Sequence, residues 1–324
     1  MDAQDARIPS IHHVTAICGD PQRNVDFYVG VLGLRLVKRT VNFDDPGTYH
    51  LYYGDGVGTP GTIMTVFAWI LPPTVQANAR QGTGQITATS FCIPADSMDH
   101  WLDRLIAYDV DFSGPETRFG ETVVSLRDPD GLPLELVARG ACVSKAPWID
   151  GPVPVEHAIR GIAGVTLSLD GYESTASLLT ETMGLRDVGQ EGSRFRFQVG
   201  AGGDAAMIDL LCQPEGERGR MGIGAVHHVA WRSASSAEQR EWRRILARTG
   251  LDVTPVLDRK YFTSIYYREP GGILFEIATD EPGFTVDEAT DELGSNLKLP
   301  DWLESRRTRL VAKLPELRVP VAAS

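Results

Sequence analysis

Short segments of the chain alternate apolar and polar side chains, which is the pattern of a β-strand with one buried face. In "IHHVTAI" (11–17) the apolar residues Val14 and Ala16 alternate with polar ones, and "AVHHVAW" (225–231) shows the same alternation. A segment of helical spacing and further short strands follow the first of these strands. The pattern therefore predicts an α+β fold.

Local signals mark the ends of these elements. The Asp-Pro pair at 20–21 predicts the start of a helix, and Gly33 predicts its end. Strands are expected around 48–53 and 62–70, while "SIYYREPGGILFEIAT" (264–279) predicts a hairpin with a Pro-Gly-Gly turn. Each quarter of the chain is therefore expected to contain a strand, a helix and several further strands.

The chain contains internal repeats, which have to be recognised before a fold is inferred. The segment "HHVTAI" (12–17) matches "AGVTLS" (163–168), and "RDPDGLPLELVA" (127–138) matches "REPGGILFEIAT" (268–279). The repeats predict four tandem β-α-β-β-β modules, forming cupped mixed sheets, at about 10–70, 85–140, 158–213 and 224–280.

The modules group into two halves with a tail. Residues 1–145 form the expected N-terminal half, the Pro-rich segment 146–157 a linker, and residues 158–280 the C-terminal half. The remaining residues, 281–324, are expected to form a helical tail, because "LPDWLESRRTRLVAKL" has the pattern of a helix with Asp301 as its N-cap.

Composition and charge favour small-molecule chemistry. The chain has 324 residues with 42% hydrophobic content, enough for a large core, and 31 basic against 43 acidic residues give a net charge of −12. Because this charge is negative and spread along the chain, we expect neither nucleic acid nor a membrane as a partner. The start of the chain shows no export signal, and the longest apolar run, at 63–71, is shorter than a membrane span.

The cysteines favour a reducing compartment. Cys18, Cys92, Cys142 and Cys212 lie far apart, and no two of them form a CxxC motif. This spacing indicates neither a disulfide framework nor a thiolate zinc site, so the cysteines are expected to be core residues. We therefore predict a cytoplasmic protein.

Four of the seven histidines stand in two adjacent pairs, and strand alternation indicates which member of each pair faces a cavity. His12 shares its strand face with the apolar set of the first strand, whereas His13 shares its face with Thr15. The same test leaves His228 on the open face and His227 on the apolar one. The second histidine of each pair is therefore expected to line the cavity.

Glu276 is expected to face the same space. Phe275 and Ile277 form the apolar face of the last predicted strand, and Glu276 lies on the other face. An unpaired carboxylate among apolar neighbours would be costly to bury, so we expect a cation beside it. Tyr266, on the preceding strand of the hairpin, should lie close to Glu276.

Two histidines and one carboxylate make the facial triad that binds non-haem Fe(II), and Mn(II) could occupy the same ligands. The parity argument therefore predicts one metal site built from the first and fourth modules. Glu135 occupies the repeat position equivalent to Glu276. One alternative is that Glu135 is a ligand; the other is that it is a remnant of the repeat that forms a salt bridge with Arg or Lys. Gly164 stands where the third module would need its ligand. His50, His100 and His157 have no partner motif, which favours surface or hydrogen-bonded positions.

Nearly the whole chain resembles the vicinal-oxygen-chelate (glyoxalase/bleomycin-resistance/extradiol dioxygenase) superfamily. Within it, the sequence is similar to ring-cleaving dioxygenases of the hydroquinone type, such as dichlorohydroquinone dioxygenase. The resemblance rests on "IHHVTAICGDPQRNVDFYVGVLGLRLVKRTVNFDDPGTYHLYYGD" (11–55), "AVHHVAWR" (225–232), "LDRKYFTSIYYREPGGILFEIATD" (257–280) and "LPDWLESRRTRLVAKLP" (299–315).

The resemblance implies His13, His228 and Glu276 as iron ligands, the same three that parity selects. It implies that further residues surround the metal and the substrate, namely His12, Thr15, His227, Arg259 and Tyr266. A flat strand would point the first histidine of each pair away from the cavity, so this role requires a bulge or strong curvature. Otherwise both would cap hydrogen bonds behind the sheet.

The implied activity is Fe(II)-dependent cleavage of a hydroquinone-type aromatic ring by O₂. The alternatives are extradiol catechol cleavage, a glyoxalase-like isomerisation that would need a second carboxylate such as Glu135, and metal-free binding of small molecules. The sequence leaves open whether copies of the chain form a homo-oligomer and whether the tail is a lid or a subunit contact.

Overall fold

Two eight-stranded mixed sheets form the fold in the computed structural model, which describes residues 7–69, 78–140, 147–200 and 206–320. Each sheet combines two β-α-β-β-β modules, so the predicted four-module α+β architecture is confirmed.

The strands and helices follow the same order in every module. The first contains β1 (Ile11–Cys18), α1 (Pro21–Val25), β2 (Arg35–Val41), β3 (Tyr49–Gly54) and β4 (Ile63–Ala68). The second contains β5 (Gln85–Pro94), α2 (Met98–Ala107), β6 (Phe112–Arg118), β7 (Glu121–Arg127) and β8 (Pro133–Arg139). The third contains β9 (Gly161–Leu169), α3 (Glu173–Ser177), β10 (Arg186–Glu191), β11 (Arg194–Val199) and β12 (Ala206–Cys212). The fourth contains β13 (Ala225–Ser233), α4 (Ser236–Arg248), β14 (Leu257–Asp258), β15 (Thr263–Arg268) and β16 (Leu274–Thr279).

The first module pairs with the fourth and the second with the third. The strand order is β14-β15-β16-β13-β1-β4-β3-β2 in the first sheet and β10-β11-β12-β9-β5-β8-β7-β6 in the second. An antiparallel pair, β1 with β13 or β5 with β9, joins the two modules of each sheet. Each sheet therefore contains strands from both halves of the chain, and the domain boundaries drawn from the sequence stay a prediction.

The signals at the ends of the first helix act as predicted. The Asp20 carboxylate accepts hydrogen bonds from the backbone N–H groups of Gln22 and Arg23 and so caps α1. A π-helical segment, Asp26–Val31, prolongs this helix. Gly33 follows with φ +68°, a left-handed conformation that favours glycine.

One apolar core joins the two sheets. Val14, Val229 and Phe275 from the first sheet belong to the same buried cluster as Phe91 and Leu167 from the second. Because these residues occupy alternate positions, the intervening side chains of the first sheet point to its opposite face. That face forms the wall of the site described below.

The tail differs from the single helix expected. The segment predicted as one helix forms two short helices, α5 (Asp301–Glu304) and α6 (Arg307–Val311), and Asp301 is the first residue of α5 rather than a side-chain cap. Between them the Arg306 N–H donates to the Leu303 carbonyl, a tighter turn than an α-helix makes. Leu303 and Leu310 pack against Val41 of β2, so the tail covers the edge of the first sheet.

The cysteines differ in part from the expectation. Cys18 and Cys212 are free thiols, and Cys18 is buried, whereas Cys92 is disulfide-bonded, which the sequence spacing did not predict. Cys142 lies outside the described residues. None of the helices in the described part of the chain is long and apolar enough to cross a membrane.

Candidate metal centre

Three buried side chains from adjacent strands converge on one point of the first sheet. They are His13 on β1, His228 on β13 and Glu276 on β16. Glu276 Oε2 lies 2.8 Å from His228 Nε2 and 3.4 Å from His13 Nε2, and the two Nε2 atoms are 3.3 Å apart. The parity argument therefore selected three residues that the structure brings together.

The charge state of this cluster fits metal ligands. Burial alone would raise the pKa of Glu276, but His13 and His228 lower it well below its usual range, so the carboxylate is ionised. Burial lowers the pKa of His228, against an opposing effect of Glu276. A neutral imidazole and an ionised carboxylate are the forms that coordinate a metal.

Glu276 Oε2 provides a test of the fit to a metal. The other oxygen, Oε1, accepts a hydrogen bond of 2.5 Å from Ser264, whereas Oε2 accepts none from the described residues although it is buried. A buried carboxylate oxygen without a hydrogen bond is costly. Two imidazole nitrogens beside this oxygen form a donor set suited to a divalent transition metal.

The first histidine of each pair orients the second. The Nδ1 atoms of His12 and His13 are 2.9 Å apart, and those of His227 and His228 are 2.7 Å apart. Burial, followed by the adjacent histidine, lowers the pKa of both His12 and His227 to about 3, so each is neutral and can accept the proton on its neighbour's Nδ1. This arrangement directs Nε2 of His13 and His228 towards Glu276, as outer hydrogen bonds do for metal-binding histidines.

Both histidine pairs coincide with irregularities in the pairing of β1 with β13. The register shifts between Ile11 and His13, and it shifts again where Thr15 and Ala16 pair with His228 and Val226. His12 and His227 are therefore the extra residues of two bulges, and a bulge redirects a side chain. The bulge that their predicted role required is present at both positions.

The two bulged histidines nevertheless reach different spaces. His227 lines the cavity that contains the three candidate ligands. His12 lines an adjoining cavity with Tyr261 and Phe284, and Phe262 borders both spaces. Of the five further site residues expected from the sequence, four line the ligand cavity, namely Thr15, His227, Arg259 and Tyr266, and His12 does not.

The ligand cavity has a volume of about 320 Å³, which suits a small ligand. Much of its wall is aromatic or aliphatic, formed by Phe43, Tyr52, Phe67, Trp69, Phe262 and Leu274. The candidate metal ligands share this cavity with further polar residues, among them Thr15, His227, Arg259 and Tyr266. The aromatic side chains beside the candidate ligands can hold an aromatic ring by its faces, and the polar groups of the same cavity can bind the polar substituents at its edge.

Arg259 and Tyr266 form a polar pair in the same cavity. Tyr266 is the register partner of Glu276 in the predicted hairpin, which confirms that they lie close together. Arg259 Nε donates to the Tyr266 hydroxyl at 3.2 Å, and its guanidinium also lies 3.1 Å from the Asp44 carboxylate. Burial, followed by Glu276, raises the pKa of Tyr266, so this hydroxyl remains protonated at neutral pH.

His50 also lines the cavity, although no motif marked it in the sequence. Its Nε2 lies 2.9 Å from Thr65 Oγ1, and its Nδ1 lies 2.9 Å from the Tyr52 hydroxyl. Burial, followed by His13, lowers the pKa of His50 well below its usual range. The parity test could have found it, because His50 and Tyr52 alternate with the core residues Leu51 and Tyr53 on β3.

The equivalent position in the second sheet has no such cluster. Glu135 Oε1 binds Arg118 at 2.8 Å, and its Oε2 accepts a hydrogen bond from Ser90 at 2.6 Å. Of the two interpretations of Glu135, the structure agrees with the one in which it is a remnant of the repeat that forms a salt bridge with an arginine. Gly164 of the third module lies in this sheet, where a Cβ would be 2.0 Å from the Met207 carbonyl oxygen, so a larger side chain cannot fit.

The family described as the glyoxalase/bleomycin resistance protein/dioxygenase superfamily matches residues 10–136 and 161–277. The chain is 50% identical over 303 residues to MhqO of Bacillus subtilis (strain 168), provisionally named a ring-cleaving dioxygenase, with 93% of this chain and 94% of MhqO covered. It is 36% identical to the chlorohydroquinone/hydroquinone 1,2-dioxygenase of Sphingobium indicum, with 94% and 95% covered.

Solved structures agree with this relationship. A crystal structure of a protein from Bacillus subtilis subsp. subtilis str. 168, provisionally named a dioxygenase, has a TM-score of 0.92 and 47% identity, covering 97% of this chain and 99% of that one. Glyoxalase I from Zea mays, at 13% identity and a TM-score of 0.62 over 84% of this chain and 92% of that one, shares the fold. The chain therefore belongs to the glyoxalase/bleomycin resistance protein/dioxygenase superfamily, which confirms the resemblance noted in its sequence.

Proposed function

We propose that this protein is an Fe(II)-dependent ring-cleaving dioxygenase that opens a hydroquinone-type ring with O₂. The observation that carries the proposal is the cluster of His13, His228 and Glu276 in the wall of a cavity of about 320 Å³ that aromatic side chains also line. Two relatives support the same reaction class, one provisionally named a ring-cleaving dioxygenase and one named a chlorohydroquinone/hydroquinone 1,2-dioxygenase. Both atoms of O₂ enter the ring-opened product, so the reaction needs no external reductant.

His13 and His228 would hold the metal through their imidazole nitrogens, and Glu276 would hold it through its carboxylate. When bound, ferrous iron supplies the Lewis acidity and the redox chemistry that ring cleavage by dioxygen requires. Mn(II) fits the same donor set. His12 and His227 hold the two ligand rings in orientation from behind, through the Nδ1 contacts.

The remaining cavity residues bind and orient the ring. Phe43, Phe67 and Phe262 enclose it and exclude water from its faces. A hydroquinone places its second hydroxyl away from the metal, so a protein group has to bind that oxygen. Arg259 and His227 line the cavity with N–H donors, and Tyr266 offers a hydroxyl that Arg259 orients.

Anaerobic reconstitution tests the proposal. The metal-free protein is loaded with Fe(II), mixed with hydroquinone or a chloro- or methyl-substituted hydroquinone, and exposed to O₂. Stoichiometric O₂ uptake with a ring-opened product is expected, and Mn(II) loading shows which metal supports the rate. The absence of ring opening from every hydroquinone would contradict the substrate assignment, and cleavage of catechols alone would identify the protein as an extradiol enzyme.

A glyoxalase-like activity is not favoured by the site. It would require a second carboxylate, and Glu135 lies in the other sheet, bound to Arg118 and Ser90. Among the described residues, His13, His228 and Glu276 are the cluster of three that could hold a metal.

A further inference from the structure

Four polar side chains form a continuous chain of hydrogen bonds along the cavity face of the first sheet. The Tyr52 hydroxyl lies 2.9 Å from His50 Nδ1, and His50 Nε2 lies 2.9 Å from Thr65 Oγ1. Thr65 Oγ1 in turn donates to Thr15 Oγ1 at 2.9 Å. These four residues are called the Tyr52–Thr15 chain below.

The direction of this chain is fixed by the donor at Thr65. A hydroxyl has one proton, so Thr65, which gives its proton to Thr15, has to accept from His50. His50 therefore carries its proton on Nε2, and its Nδ1 accepts from the Tyr52 hydroxyl. Every bond of the chain then runs from Tyr52 towards Thr15.

The chain ends beside a candidate metal ligand. Tyr52 pairs with Thr65 across β3 and β4, Thr65 pairs with Thr15 across β4 and β1, and Thr15 pairs with His228 across β1 and β13. Register partners on neighbouring strands project from the same face. The row of side chains thus leads from the buried Tyr52 to His228.

Thr15 is left with one unused proton. Its oxygen accepts from Thr65, and no acceptor among the described residues takes its own hydroxyl proton, although Thr15 is fully buried. The residue also lines the ligand cavity. Because the lone pair used by Thr65 restricts rotation about the C–O bond, the Thr15 proton has few directions left and the cavity is one of them.

We propose that Tyr52, His50 and Thr65 are positioning residues that turn the Thr15 hydroxyl towards the cavity as a donor to an oxygen of the ring substrate. The identity of that oxygen rests on the proposed function, whereas the direction of the chain does not. His50 transmits the orientation as a neutral imidazole of a single tautomer. In a water-excluding cavity a preoriented donor stabilises negative charge that develops on a substrate hydroxyl.

The direction of the hydrogen bonds in the Tyr52–Thr15 chain can be tested without turnover in the metal-free, full-length protein. Long-range ¹H–¹⁵N NMR of the histidine rings, with His50 assigned by its loss in His50→Phe, reports which ring nitrogen carries the proton. We expect His50 in the wild type to be the Nε2–H tautomer at pH 7. An Nδ1–H tautomer, a mixture of tautomers or an imidazolium would overturn the proposed direction.

A matched pair at Thr65 tests the role in the reaction. Thr65→Val keeps the shape and removes the hydroxyl, whereas Thr65→Ser keeps the hydroxyl. The variants are loaded with Fe(II) and given a hydroquinone that the wild type cleaves. We expect Thr65→Val to lower kcat by about ten-fold with a smaller change in KM, and the kcat of Thr65→Ser to stay within about two-fold of the wild-type value. Equal kcat values in Thr65→Val and the wild type, or equal losses in both variants, would overturn the positioning role.

The two failures are distinguishable. If the wild type cleaves no ring, the proposed function is wrong, and the NMR result still decides whether the Tyr52–Thr15 chain has the stated direction. If the wild type cleaves the ring but Thr65→Val does so at the same rate, the function stands and the positioning role is wrong.

Discussion

Nε2 of His13 lies 3.3 Å from Nε2 of His228, although 215 positions separate the two residues in the chain. The antiparallel pairing of β1 with β13 brings them together. The first and fourth modules therefore supply the candidate ligands jointly, and neither module has the set alone. The second and third modules pair in the same way but place Glu135 beside Arg118.

Two equivalent carboxylates allow a matched test of metal binding. Glu276→Gln should remove most bound Fe(II), because an amide oxygen lacks the charge that offsets the divalent ion in this buried site. Glu135→Gln, at the equivalent position of the second sheet, should leave the iron content at one per chain. Elemental analysis after Fe(II) loading and desalting measures both.

Equal iron content in the two variants would show that Glu276 is not a ligand. Loss of iron from both variants would instead assign Glu135 a part in metal binding, contrary to its place in the other sheet.

The bulged histidines should differ in one kinetic parameter. His12→Gln and His227→Gln should each weaken Fe(II) affinity by about ten-fold or more, because the longer glutamine side chain does not place its carbonyl where the histidine Nδ1 accepts the Nδ1 proton of a ligand. Only His227 lines the ligand cavity, so only His227→Gln should also raise KM for the hydroquinone at saturating Fe(II). Steady-state rates over a range of iron and substrate concentrations separate the two effects. An equal rise of KM in both variants would place His12 at the substrate.

A buried ion pair fastens the tail to the first sheet. Lys38 of β2 is fully buried, and its Nζ lies 2.7 Å from Asp287 and 2.5 Å from Glu288. Lys38→Met should lower the free energy of unfolding by about 3–5 kcal/mol, because it leaves the buried Glu288 carboxylate without its cation and with only the backbone N–H groups of Gly294 and Asn296. Urea denaturation of the metal-free protein measures this loss.

Lys260 provides the control for that variant. It also pairs with Asp287, at 3.7 Å, but it is partly exposed. Lys260→Met should therefore change the free energy of unfolding by less than about 1 kcal/mol. Similar values for the two lysine variants would mean that the Lys38 pair does not hold the tail.

Alternation along single strands made the candidate ligands predictable. Successive side chains of a strand point to opposite faces, so the sequence of each strand separates His13, His228 and Glu276 from their core neighbours. This separation does not depend on which strands pair with one another. Internal repeats likewise predicted the four modules, because each module has its own strand, helix and strand signals. Both features depend on local sequence and can be predicted without knowing which strands pair.

Other features depend on how distant strands meet. The bulges at His12 and His227 arise from the register of β1 against β13, and no local signal sets that register. His50 reaches Thr65 only because β3 pairs with β4, so its role needed the parity test on β3 together with the pairing. The segment 299–314 was predicted as one helix from the capping signal at Asp301, and the turn at Arg306 divides it.

Oxygen labelling tests the central claim most directly. The Fe(II)-loaded protein is given a hydroquinone under ¹⁸O₂, and the product is analysed by mass spectrometry. We predict a ring-opened product that contains two ¹⁸O atoms, formed by the wild type and absent with Glu276→Gln. An intact ring, or a product without oxygen from ¹⁸O₂, would contradict the account.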